Sequence, residues 1–356
     1  MSTTDMYGRI YPMNKPKRHH FVPRAYLARF GRDDRVAVRW RDRHGIVVTK
    51  TQNVAVESGF YTTDEPDGSF SVALEYDLAD IDGKANAAIN AIVSNNILPE
   101  LDSANRVTLA YYLAIQKLRT PESRAFTSFP HEVLKYAGDR SVTSALMAEY
   151  LEQVHLGFKP IPSEVAGALT FFEVHSDLLT PATRNEIVTI PFNSTQPVTE
   201  LLLNMHWSLE IARKARLITS DTPMTIWHRP SRADRYRGTG IVDAEEVRFP
   251  LSPGHLLVLT PEPRPAVERV EPKRVRQCNL DQAAGCHRFI VGHPDRQRIL
   301  AESPLALKRP AIRFNEAPGF IEVQKVRSPL WKAASCILGY SDLLGTPETL
   351  ENDDRK

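Results

Sequence analysis

The stretch that most constrains this chain is NRVTLAYYLAIQKLRT, residues 105–120. It is apolar nearly all round, and a helix without a polar face has to be enclosed by the rest of the molecule. The pattern predicts a central helix. Pro121 favours its end at Thr120, because the residue before a proline is pushed out of the helical region. Tyr112, Gln116 and Arg119 fall at i, i+4 and i+7 and share one face. A buried Gln and Arg need partners, since unpaired buried polar groups cost free energy. The preceding stretch, SVALEYDLADIDGKANAAINAIVSNN, offers them. Leu74, Leu78, Ile81, Ala85, Ile89 and Ile92 make a stripe at the helical period, with Ser71 as the expected N-cap. Glu75 and Asp82, seven residues apart, lie together at the edge of that stripe, and Asn86 follows one turn later.

Around this helical middle the period changes. RVAVRWRDRHGIVVTK (35–50) alternates like a strand, turns at Arg-His-Gly and returns, so it predicts a hairpin. SGFYTT (58–63) reads as a short extended piece, and Asp67-Gly68 as a turn. Residues 122–180 predict further helices, punctuated by Pro160 and Pro162. From about 183 strands are expected: EIVTIPF, WSLEIAR, ARLITSD, MTIWHR, VRFPLSP and HLLVLTP, then a helix over PKRVRQCNLDQAAG and a strand over HRFIVG. RPSRADRYRGTG (229–240) is a basic loop. The fold class is therefore α+β: an N-terminal strand hairpin, a helical middle and a mostly antiparallel sheet in the C-terminal half. The length allows one large domain or two ordinary ones. One integrated domain over 1–345 is expected, with about 18 flexible residues at the start and a frayed tail over 346–356.

Composition narrows the function classes. With 42% hydrophobic and 25% charged residues the chain is of globular type. No apolar run approaches the roughly 18 residues that span a bilayer, and the N-terminus lacks the apolar core of a signal peptide. Cys278, Cys286 and Cys336 have no zinc-ligand spacing, so reduced thiols in a cytoplasm are expected. Residues 9–50 hold twelve Lys or Arg against Asp33, Asp34 and Asp42, a balance of +9. Residues 51–100 hold nine Asp or Glu against Lys84, a balance of −8. Either an anionic ligand sits beside a carboxylate site, or the two segments face each other. Phosphate-binding glycine loops, G-x-S-x-G and H-E-x-x-H are all missing, which disfavours nucleotide-driven motors, ordinary serine hydrolases and the usual zinc proteases.

Three groups carry possible chemistry. His19 and His20 sit inside KRHHFVPRAYLARF. In a strand their side chains point to opposite faces, whereas in irregular backbone both could meet one ligand. They serve as metal ligands or general acid–base groups, or else one holds a strand end and the other faces water. Glu75 and Asp82 suit a hard cation or acid–base work, and equally a structural ion pair with Arg119. Asp221 ends the apolar strand of ARLITSDTP, where it either faces a ligand or caps its own backbone before Pro223.

In order along the chain, HHFVPRAYLARF, SGFYTT, LEYDLADID, LAIQKLRTP, HWSLEIARKARLITSDTP, FPLSP and NLDQAAGCHRFIVG resemble a bacterial family known as domain of unknown function 4238. The resemblance covers most of residues 19–292. Its specific parts are His-His-aromatic-Val-Pro, Gln-x-x-Arg-Thr-Pro and Ser-Asp-x-Pro. Relative to that family's pattern Asp82 stands where Glu is usual, and Thr222 where Asn is usual. The resemblance groups these residues and implies no activity.

The expectation for function is a nuclease-like hydrolase of phosphodiester bonds. His19, His20, Glu75, Gln116, Arg119 and Asp221 would be catalytic, and Arg24, Arg29, Tyr112 and Ser220 would hold substrate. His20, Glu75, Asp82 and Asp221 would ligate a divalent metal, Mg²⁺ or Mn²⁺ before Zn²⁺. A metal-free variant uses His20 as base and Arg119 to clamp phosphate. The alternative is a non-catalytic module of a bacterial defence or toxin system that binds nucleotide, nucleic acid or a partner protein.

Overall fold

A computed structural model describes residues 2–4, 10–12, 17–174, 183–214, 216–229 and 240–305. Most of the expected basic loop (230–239), Cys336 and the tail from 346 lie outside the described residues. In chain order the first strands are β1 (Ser2–Thr4), β2 (Ile10–Pro12) and β3 (Arg18–His20), followed by the short helix α1 (Arg24–Ala28). Then come β4 (Arg35–Trp40), β5 (Val47–Lys50), β6 (Val56–Ser58), β7 (Thr63–Asp64) and β8 (Phe70–Ser71). The helical middle is α2 (Ala73–Asn95), α3 (Ala104–Leu118), α4 (Pro121–Ala137), α5 (Ser144–Tyr150), α6 (Pro162–Val174), α7 (Arg184–Thr189) and α8 (Thr195–Asn204). The last part holds β9 (His206–Ala212), β10 (Thr219–Ser220), β11 (Thr225–Trp227), β12 (Glu246–Ser252), β13 (His255–Thr260) and β14 (Val267–Val270). It closes with α9 (Pro272–Gly285), β15 (Phe289–Gly292) and α10 (Gln297–Glu302).

This is the α+β arrangement the periodicities predict. A five-stranded sheet runs β11-β12-β13-β9-β14, antiparallel except for the β14–β9 pair. A four-stranded antiparallel sheet runs β10-β15-β4-β5, so the early hairpin is completed by strands from much later in the sequence. α3 is buried at every residue from Arg106 to Gln116 and packs against α2 and α8. The α2 stripe packs against it, with Leu78, Ile81, Ala85, Ile89 and Ile92 all in the main core. Phe129, Val133, Met147, Tyr150 and Phe172 of α4, α5 and α6 form a separate apolar cluster. Tyr26 of α1 ties the two sheets together. Its hydroxyl lies 2.8 Å from Thr219 Oγ1 on β10 and donates over 2.8 Å to the Pro250 carbonyl on β12. Pro250 is tolerated in that strand because the ladder shifts register there.

Three local expectations are corrected. EIVTIPF is helical: Thr183 and Glu186 form a reciprocal capping box that starts α7, and a 3₁₀ turn carries the chain on through Phe192. The apolar run looked like a strand because it is too short to show its period. SGFYTT is mainly a turn, with Gly59 at φ +62° and the Thr62 N–H donating to its carbonyl. The α2 N-cap is Val72 and not Ser71, whose hydroxyl instead accepts from the Ala73 N–H at 3.3 Å.

Candidate acid–base site

The adjacent histidines sit in regular strand, so their rings part to opposite faces. His19 faces the core. It is fully buried, its Nδ1 accepts the Tyr61 N–H at 2.8 Å, and its ring stacks on that of Tyr61 at 5.9 Å and 7°. It pins the 59–62 turn. His20 lies on the half-buried face, opposite Val56 of β6. Its ring hydrogen-bonds the Thr51 backbone, and its Nε2 is buried with no hydrogen-bond partner. Burial lowers its pKa below the ordinary histidine value, helped by the charges of Arg18, Arg24 and Arg119 and opposed by the Thr51 bond.

Arg119, at the C-cap of α3, is the hub of the mid-chain polar group. Its side chain is wholly buried. Nη1 and Nη2 grip the two oxygens of Asp82 at 3.1 and 2.8 Å. Nε and Nη2 give to Gln116 Oε1 at 3.1 and 2.6 Å, and a further bond goes to the Tyr112 hydroxyl. Nε, Nη1 and Nη2 are therefore all engaged. Gln116 passes its own amide to the Phe21 carbonyl at 3.1 Å, which locks the backbone just after the histidines onto α3. Burial pushes the Asp82 carboxyl up while Arg119 pulls it down, and Asp82 in turn holds the guanidinium more firmly protonated. The forked geometry is that of an ionised pair.

Glu75 stands two turns earlier on α2 and has a different fate. Its carboxyl makes no hydrogen bond among the described residues, although its backbone N–H donates to the Val72 carbonyl at 3.1 Å. Burial pushes its pKa up to about 8, with Arg119 opposing and the neighbouring Asp82 charge adding to the rise. Glu75 is pushed up with no partner for its carboxyl, whereas Asp82 is held in the forked contact with Arg119, so two acids of one helix differ through environment alone.

The other expected site residues are placed elsewhere or already committed. Asp221 is fully buried. Its Oδ1 and Oδ2 accept the backbone N–H groups of His287 and Arg288 at 2.9 and 2.6 Å, so it caps neither its own turn nor a ligand. Burial takes its pKa up to about 7 against those two bonds and Arg288. The local turn is made by Ser220, whose Oγ accepts from Thr222 N at 3.0 Å and Gln282 Nε2 at 2.6 Å and donates to the Thr222 carbonyl at 2.9 Å. That buried hydroxyl is spent and cannot hold substrate as expected. Tyr112 is buried in the main core and serves Arg119. Arg29 staples α1 to α2 through Asn90 Oδ1 at 2.8 Å and the Asn86 carbonyl at 2.9 Å, so it does not track phosphates. Arg24 bonds Asp34 and Thr51 but remains half exposed beside His20.

Among the described residues no group of three or more His, Cys, Asp or Glu side chains is arranged to hold a metal ion. His20, Glu75, Asp82 and Asp221 therefore do not form the expected ligand set: Asp82 is occupied by Arg119, and Asp221 by two backbone amides. Sequence reasoning missed Arg288, which pairs with Glu57, the residue opposite His19, and lies 5.9 Å from the Phe21 ring. Nothing in HRFIVG signals that role, because its partners come from distant segments.

A family model described as "Protein of unknown function (DUF4238)" matches residues 18–296. The chain belongs to that family. No curated protein and no solved structure matches it. Among the described residues no helix is long and apolar enough to cross a membrane.

Proposed function

We propose that this DUF4238 member is a metal-independent, nuclease-like hydrolase of phosphodiester bonds, with His20 as general base and Glu75 as general acid. The observation that carries the reading is the His20 Nε2 atom, buried, unpartnered and attached to a ring held neutral at pH 7. A free imidazole lone pair in that state is what a base needs. Glu75, protonated below about 8, supplies the complementary acid near the same arginine. Arg18 and Arg24, whose charges act on His20, favour an anionic substrate. In the step we envisage, a water oxygen attacks phosphorus while its proton passes to Nε2. The ester P–O bond breaks and the leaving oxygen takes the Glu75 proton. Solvent then returns a proton from His20 to Glu75. Asp82, Gln116 and Arg119 act as positioning residues. Their complete pairing also suits a second reading, a rigid recognition pocket for nucleotide or nucleic acid without turnover. The buried free thiols Cys278 and Cys286 support a reducing cytoplasm as the setting.

The test is incubation of the purified protein with labelled single- and double-stranded DNA and RNA, with EDTA and with added Mg²⁺ or Mn²⁺. Cleavage should persist in EDTA and fall by about 10²-fold or more in His20→Ala and in Glu75→Gln. Binding without cleavage would leave the recognition reading. Cleavage at full rate in both variants would remove His20 and Glu75 from the chemistry.

A further inference from the structure

The opposite end of α3 carries another buried guanidinium. Arg106 is only 4% exposed, and helical side chains lean back towards the helix start. There its Cζ lies 3.8 Å from the Trp207 ring centroid. Nη1 reaches the Pro99 carbonyl only at 3.5 Å, and Nε is buried with no partner. Among the described residues no carboxylate pairs with it. Two other arginines show what the unpaired edge fits. Arg24 gives Nε and Nη2 to the two oxygens of Asp34 at 3.4 and 2.6 Å, and Arg274 gives the same pair to Glu210 at 2.9 and 2.9 Å. In Arg106 that edge has no acceptor. The contact with Trp207 offsets part of the burial cost but leaves the Nε–H unpaired. Two residues to either side of Pro99, Ile97 and Leu101 are 67% and 65% exposed, more than any other large apolar side chain among the described residues.

We propose that Arg106, shelved on Trp207, binds a carboxylate bearing an aliphatic group, with the oxygens on the Nε/Nη2 fork and the alkyl part against Ile97 and Leu101. The acids Glu100 and Asp102 in the same loop disfavour a doubly charged phosphate. The site stands thirteen residues from Arg119 along α3, about 20 Å at 1.5 Å per residue, so it does not rest on the acid–base reading.

The test titrates the full chain with hexanoate, acetate and inorganic phosphate while following the arginine Nε–H resonances and tryptophan fluorescence. Hexanoate should shift one Nε–H signal saturably, with a Kd below about 1 mM, and bind more tightly than acetate or phosphate. Arg106→Met should abolish the response. Arg106→Lys keeps the charge but loses the fork, and should weaken binding about tenfold or more, which keeps the test decisive if the Met variant does not fold. No saturable shift up to about 10 mM overturns the site. So does binding unchanged in Arg106→Lys, or phosphate binding more tightly than hexanoate.

Discussion

His20 and Glu75 are moved in opposite directions by one cause. Burial disfavours the charged form of each, which lowers the imidazole pKa and raises the carboxyl to about 8. If they act as base and acid, cleavage should follow a bell. It should fall as pH drops through the His20 value, which lies below 6.5, and fall again as pH rises past about 8. A rate–pH profile checks this, and a rate that stays flat to pH 10 would count against Glu75. Glu75 also has a stability consequence whether or not it reacts. Its folded pKa is raised above the ordinary 4.5, so the native state holds a proton the unfolded chain has given up. That contribution is complete at low pH and is lost as pH rises from about 4.5 to about 8. Glu75→Gln should therefore raise Tm more at pH 9 than at pH 5. An equal shift at both would mean that Glu75 is not held neutral.

At the scale of elements, the pairing of helix faces was legible. Spacing alone put Gln116 and Arg119 on one face of α3, and the cost of burying them unpaired required acids from α2; Asp82 supplies the partner. The histidines were legible only conditionally, because strand or irregular backbone leads to opposite arrangements. The Ser220-Asp221 turn was misread: its hydroxyl makes the turn, while its carboxylate reaches across to the start of β15. Asp221→Ala would leave two partly buried N–H groups without an acceptor and should cost about 2–4 kcal/mol in urea denaturation. His20→Ala, which breaks only the Thr51 bond, should cost far less. If Asp221→Ala were as stable as the parent protein, the anchoring role would be wrong.

At the scale of the whole molecule, early and late segments of the described residues are sewn together. β4 lies between β5 and β15, and Tyr26 touches both sheets. A chain ending at Gly285 would lose β15, leave the β4 edge unpaired and strip Asp221 of its two donors. Such a truncation should lose cooperative unfolding by circular dichroism and become sensitive to protease. A truncated chain that still unfolds in one sharp transition would show β15 to be dispensable. Three arginines of the basic run are likewise spent within the fold. Arg32 pairs with Asp295, Arg39 gives to the carbonyls of Leu300 and Ser303, and Arg41 gives to those of Ala283 and Cys286.

Local periodicity, set by the 3.6-residue helix and the two-residue strand, was enough to determine the α+β class, the buried central helix and the face that carries Gln116 and Arg119. Only the tertiary structure decided which acid meets Arg119, that His20 keeps a free nitrogen while His19 loses its own to Tyr61, and that Asp221 holds backbone. Each of those outcomes depends on groups brought together from distant segments, and on how much water their packing removes; neither is written in the order of neighbouring residues.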